Sequence, residues 1–189
     1  RRIHDELVEN LDAELLSSAH KTGKVSALRE NVQVLTAEFL AAHASSLSDA
    51  EKQRIVKEVV DEVTGFGPIT GLLNDPDISE IMVNGPKQIY VERKGKIIPT
   101  DIEFRDDNHV MHIIEKIVSP LGRRVDESSP MVDARLPDGS RVNIIIPPLS
   151  LVGPVITIRK FAKDPLTIED LIQFGTLTEE AAMFLEACV

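Results

Sequence analysis

What this chain of 189 residues lacks narrows its chemistry before anything else. It holds a single cysteine, Cys188, so it can build neither a disulfide framework nor a cysteine-rich zinc site. That usage suits a reducing compartment and predicts a cytoplasmic protein. Tryptophan is absent and Tyr90 is the one tyrosine, which argues against an aromatic platform for single-stranded nucleic acid. No stretch approaches the roughly 20 consecutive apolar residues of a membrane helix, and no signal-peptide pattern opens the chain. The first residue is Arg1 rather than Met, so the sequence reads as a piece of a longer protein. A phosphate-cradling loop, Gly-x-x-x-x-Gly-Lys-Ser/Thr, is missing as well. The two Gly-Lys pairs, Gly23-Lys24 and Gly95-Lys96, are followed by Val25 and Ile97. Neither has the preceding glycine, and no Gly-x-Ser-x-Gly nucleophile motif occurs.

What is present supports a folded protein. Hydrophobic residues make up 42% of the chain and charged residues 28%, enough for a buried core and too apolar for wholesale disorder. Three amphipathic stretches come first. Ile3, Leu7, Leu11 and Leu15 recur at four-residue spacing. Leu28, Val32, Leu35, Phe39 and Leu40 follow, with Ser26 placed to cap them. Ser48-Asp49-Ala50-Glu51 is a capping box ahead of Ile55, Val56, Val59, Val60 and Val63. Their stripes predict a three-helix bundle over residues 1–64. Gly65-Phe66-Gly67-Pro68 breaks the pattern. Beyond it the periods are mixed, predicting an α+β fold: the bundle followed by a small α/β domain with an antiparallel sheet over 65–162. Strands are expected around Glu80–Asn84, Ile89–Arg93, Lys96–Ile98, Met131–Leu136, Arg141–Ile146 and Val155–Phe161. A helix capped by Asn108 should bury Val110, Ile113, Ile114, Ile117 and Val118. Residues 163–189 read as a linker and the start of a further domain. Thr167 and Thr178 open short helices there, and Leu177, Met183, Phe184 and Leu185 form an apolar surface left uncovered.

Charge is unevenly spread. The net charge is −10, yet residues 119–163 carry seven basic and four acidic side chains. Five of the seven are Arg123, Arg124, Arg135, Arg141 and Arg159. Arginine grips phosphate or carboxylate through a planar fork of donors. Strand alternation puts Arg135 with Asp133, Arg141 with Asn143, and Arg159 with Thr157, opposite Val132, Ile144 and Ile156. If these strands are neighbours, one sheet face is apolar and the other carries three arginines. Pattern alone leaves open an ordinary wetted face, an anion site, or a surface matched to a nucleotide-bearing partner. His109 and His112 share a helical side, but no carboxylate or third ligand stands near them in sequence. They read as a solvated face, and no metal site is expected.

Several segments resemble a known family. Gly65-Phe66-Gly67-Pro68-Ile69, Leu72-Leu73, Asp75 and Glu80-Ile81-Met82-Val83-Asn84-Gly85 resemble the opening of the N-terminal domain of type II/IV secretion ATPases. The run from Gly122-Arg123-Arg124 through Leu136-Pro137-Asp138-Gly139-Ser140-Arg141-Val142-Asn143 is closer still. With Pro147-Pro148 and Ile158-Arg159-Lys160-Phe161 it resembles the CpaF type, which powers tight-adherence (Tad/Flp) pili. The resemblance covers residues 65 to about 185 and implies a small α/β domain tethered to a RecA-like ATPase domain in a homohexamer. The full-length protein would use ATP and Mg²⁺, while this stretch alone would bind neither tightly and would not hydrolyse ATP. The resemblance also assigns nucleotide contact, in the manner of arginine fingers, to Arg141 and Arg159, with Arg135 and Arg124 as further candidates. The implied partners are the chain's own RecA-like domain, neighbouring subunits and an inner-membrane platform protein, with no nucleic acid. The implied location is cytoplasmic, held peripherally at the inner membrane. The alternative is a non-catalytic interaction or scaffold module of a secretion system; a ligand-sensing α/β domain is a more distant one. Translating the coding sequence past Val189 should reveal Gly-x-x-x-x-Gly-Lys-Ser/Thr within about 40 residues. Its absence would favour the module.

Overall fold

Short segments rich in Ile and Val become the strands of one sheet in the computed structural model, which describes residues 25–44, 47–161 and 167–188. The strands are β1 (Ile78–Asn84), β2 (Ile89–Arg93), β3 (Lys96–Pro99), β4 (Met131–Arg135), β5 (Arg141–Ile145) and β6 (Val155–Arg159). They lie in the order β3-β2-β1-β6-β5-β4, every neighbouring pair antiparallel. The hairpin between β2 and β3 turns at Lys94 (φ 49°) and Gly95 (φ 75°). Two successive left-handed residues make the turn whose twist matches paired strands.

One face of the sheet is the core. Ile81, Val83, Val91, Val142, Ile144, Ile156 and Ile158 point to it and are buried against α4 (Asp107–Val118), which contributes Val110, Ile113, Ile114, Ile117 and Val118. The predicted burial pattern of this helix holds at each of those positions. Its cap does not: Asp106, not Asn108, precedes the helix and accepts the His109 N–H at 2.8 Å. Asn108 falls inside the first turn, because the chain enters the helix two residues earlier than its polar signal suggests. Each fully buried Ile of this layer stabilises by roughly 1.5–3 kcal/mol. An exposed ion pair such as Lys87–Glu103 contributes roughly 0–1 kcal/mol. Apolar burial against α4 therefore holds the sheet flat side to helix and leaves the other face to chemistry.

Ahead of the sheet stand α1 (Val25–His43) and α2 (Asp49–Thr64). They pack through Val32, Val59 and Val60, bordered by Leu28, Phe39, Ile55, Val56 and Val63. The Ser48–Glu51 capping box forms as read. The helix begins at Val25, so Ser26 lies within it rather than before it; Leu35 is exposed while Thr36 is buried, its hydroxyl turned back on the Val32 carbonyl. The earliest predicted helix, over Ile3 to Leu15, lies outside the described residues. A single helical turn of 3₁₀ type (Gly67–Ile69) and α3 (Thr70–Asn74) lead into β1. At the far end stand α5 (Ile168–Gln173) and α6 (Glu179–Cys188). Met183, Phe184 and Leu185 are exposed there as expected, whereas Leu177 is half-buried. No helix among the described residues is long and apolar enough to cross a membrane.

The helical pair is fastened to the α/β unit by a buried polar joint that sequence spacing did not reveal. His109 is not on a solvated face; it is 5% exposed. Its Nε2 donates to the Glu62 carboxylate at 2.9 and 3.0 Å, while its Nδ1 accepts the Arg105 backbone N–H at 3.2 Å. The second bond leaves Nδ1 without a proton and so assigns the tautomer. Lys116 donates to the α2 carbonyls of Glu62 and Val63, closing the end of that helix. Burial pushes the Glu62 carboxyl up, but the His109 hydrogen bond and the electrostatic pull of His109, Lys116 and Arg105 outweigh it and hold Glu62 below its ordinary value.

A carboxyl held low contributes stability that is present above its unfolded pKa of 4.5 and is lost as pH falls through the folded value. Glu62→Ala should therefore destabilise by about 1–3 kcal/mol near neutral pH, the cost of leaving the His109 N–H buried and unmet. The gap between wild type and variant should shrink on acidification below about pH 4.5. Urea unfolding at several pH values measures both.

Candidate functional site

Main-chain pairing does what alternation within one strand cannot: it lines up side chains across strands. Arg135 lies opposite Arg141, and Arg141 opposite Arg159. The row continues to Glu80 on β1 and Glu92 on β2. One step along the strands runs a second row, Asp133, Asn143, Thr157, Met82 and Tyr90. All of these project from the face opposite the core. Directly opposed residues have Cβ atoms about 4.5–5.5 Å apart, and like charges so placed destabilise a sheet. A face that merely met water would intersperse the signs. Here cation stands by cation on β4 to β6, and anion by anion on β1 and β2.

The arginines are also left without carboxylates. Asp133, their nearest acid on β4, is engaged by Asn143 Nδ2 at 2.8 Å. Glu80 is the cross-strand partner of Arg159, yet no ion pair joins them. Among the described residues the side chains of Arg123, Arg135, Arg141 and Arg159 make no hydrogen bond or ion pair. They line an open concavity of about 620 Å³, floored by Asp133, Asn143 and Thr157. Three arginines opposed across the strands, with Arg123 beside them, are all exposed and bring their guanidinium donors to one place. That arrangement suits an anion with several oxygens, each fork donating to two of them.

Of the four predicted site residues, the structure brings Arg135, Arg141 and Arg159 together. Arg124 is elsewhere: its guanidinium pairs with Asp126 at 3.3 Å and lies 88% exposed. Its neighbour Arg123 lines the concavity instead. The two were not separable from sequence, because they fall in an irregular stretch where no period says which points inward. Gly122, left-handed at φ 65°, ends the 3₁₀ turn Ser119–Leu121 just before them and sets the direction of the chain. Among the described residues no group of His, Cys, Asp and Glu is arranged to hold a metal ion.

Comparison with known proteins places these observations. Residues 62–189 match the family model described as type II/IV secretion system protein. An uncharacterized protein of Methanocaldococcus jannaschii is 47% identical over 116 residues, 60% of this chain and 16% of that protein. The type IV secretion system protein VirB11 of Brucella suis is 30% identical over 109 residues, 57% of this chain and 30% of VirB11. The crystal structure of the VirB11 ATPase from the Brucella suis type IV secretion system, in complex with sulphate, superposes with a TM-score of 0.53 at 28% identity. That superposition covers 59% of this chain and 35% of VirB11. The chain thus spans well under half the length of each of these relatives.

If opposed like charge is a strain on the sheet, removing its centre should relieve it. Arg141→Gln should leave the melting temperature unchanged or slightly raised, by at most about 1 kcal/mol in stability. Inorganic tripolyphosphate should stabilise the wild type against heat and stabilise this variant much less. Thermal denaturation with and without the anion reads both effects.

Proposed function

This chain belongs to the type II/IV secretion system protein family, and on that premise we propose that it is the phosphate-clamping part of a secretion ATPase. The observation that carries the proposal is the row Arg135, Arg141 and Arg159, opposed across three strands and unengaged by any described carboxylate. Such a row stabilises negative charge that arrives from outside. Phosphoryl transfer builds charge on the phosphate oxygens and the leaving group, and fixed cations already in place lower its barrier without reorganising.

In this reading the chain supplies arginines while a following RecA-like domain, beyond a linker at 163–165, supplies the P-loop, the Mg²⁺ ligands and the catalytic carboxylate. ATP sits between the two. Arg141 and Arg159 meet its phosphates, and Arg135 and Arg123 extend the positive surface; Arg124, paired with Asp126, would reach the phosphates only by leaving that pair. Residues 65–162 carry the clamp, and α1 and α2 are tied to it through Glu62 and His109. The proposal extends to a hexameric ring on the cytoplasmic side of the inner membrane, acting on a membrane platform protein to drive Tad/Flp pilus assembly or a related secretion step. Membership in the family and similarity to the VirB11 ATPase support the ATPase part. The pilus type rests on the run from Gly122 to Asn143 and on Ile158-Arg159-Lys160-Phe161.

In the full-length protein, Arg141→Ala and Arg159→Ala should each lower ATP turnover by about 10²-fold or more, the loss expected when one preorganised charge-stabilising donor is removed, with the fold intact by circular dichroism. Arg141→Lys should recover little, since an ammonium cannot reproduce the fork. Wild-type turnover in both alanine variants would overturn the assignment.

A further inference from the structure

A row of guanidinium groups recognises phosphate but not the nucleoside attached to it, so the clamp as described would hold inorganic triphosphate as readily as ATP. Just past the row stands a side chain suited to the missing part. Phe161 follows Arg159 by two residues, on the same side of the chain. The Lys160 N–H still donates to the Ser79 carbonyl at 2.9 Å, so the main chain remains extended. At about 3.3 Å per residue, Phe161 then sits roughly 7 Å beyond Arg159 along the chain, next to the arginine row.

Phe161 is held in place rather than loose. Its backbone N–H donates to Ser140 Oγ at 3.1 Å. Ser140 is 1% exposed, and its hydroxyl in turn donates to Asp138 Oδ2 at 2.9 Å. The ring rests on the turn at Gly139, which is left-handed at φ 89°. A Cβ at that position would stand 3.4 Å from Phe161 Cγ, at contact distance, so the ring lies directly against the turn. Yet the residue remains 67% exposed. A large apolar ring on main chain anchored by a buried hydroxyl, open to solvent beside the arginine row, offers a face on which a second aromatic surface could stack.

We infer that Phe161 is a specificity-determining residue that stacks on the base of the nucleotide whose phosphates meet Arg141 and Arg159. The inference rests on the proposed clamp and names its ligand class: a nucleoside triphosphate, recognised at both ends, rather than a bare polyphosphate. Stacking of a base on an aromatic side chain tolerates any base, so the site selects nucleotide over phosphate without choosing among bases.

The test measures, in the full-length protein, the KM for ATP and the inhibition constant of inorganic tripolyphosphate as a competitor. Phe161→Ala should raise the KM for ATP on the order of tenfold and shift tripolyphosphate inhibition far less. Phe161→Leu, which keeps apolar bulk over Gly139 but has no ring, should behave like the alanine variant, and Phe161→Tyr should restore the wild-type KM. An unchanged KM in the alanine and leucine variants would overturn the inference. So would an equal loss for ATP and tripolyphosphate, which would mean that Phe161 only supports the arginines. Arg141→Ala serves as the separate control and should weaken tripolyphosphate inhibition. If it does not, the clamp itself fails, whatever Phe161 does.

Discussion

The register of three antiparallel strands governs this molecule. Because Arg135 pairs with Arg141 and Arg141 with Arg159, three positive charges are held side by side by main-chain hydrogen bonds that their side chains cannot escape. A shift of one residue in either ladder would turn an arginine into the core and an isoleucine or valine into water. The hydrophobic layer against α4 forbids that shift. Apolar burial on one face thus enforces electrostatic strain on the other, which the proposed binding of an anion with several oxygens would relieve.

This division of labour also explains what the rest of the chain contributes. The turn from β4 to β5 is pinned by Asp138 and Ser140, and the same serine anchors the chain as it leaves β6. Arg141 and Arg159 are flanked by these fixed points, so their backbone positions are set before any ligand arrives. Preorganisation of this kind is what makes fixed charge useful to a reaction that develops charge. On the opposite side, Glu62 and His109 fasten α2 to α4 through a fully satisfied buried pair. A buried polar pair stabilises little in itself, and losing either partner is costly. Its consequence is geometric: α1 and α2 are tied to the same helix that packs the sheet.

Much of this was legible locally. A period of two announced β4, β5 and β6 and told which of their residues are polar-facing. The capping boxes at Ser48 and Thr167 and the turn at Lys94-Gly95 follow from the chemistry of a few adjacent residues. What could not be read was anything set by distant segments. The sheet order, in which β1 lies between β2 and β6, has no local signature. Glu62 and His109 stand 47 positions apart, so a histidine that looked solvated is a buried donor. Arg123 and Arg124 are neighbours in an aperiodic stretch, and only the path of the chain after Gly122 separates the one that lines the concavity from the one that pairs with Asp126. The family, by contrast, was legible because the run from Gly122 to Asn143 carries the turn and the arginines together.

The most direct measurement is a structure of the full-length protein with a non-hydrolysable ATP analogue. The account predicts the guanidinium groups of Arg141 and Arg159 at about 2.7–2.9 Å from phosphate oxygens, the distance of a charge-assisted hydrogen bond. Both groups pointing into bulk solvent, with the phosphates neutralised entirely by other residues, would contradict it.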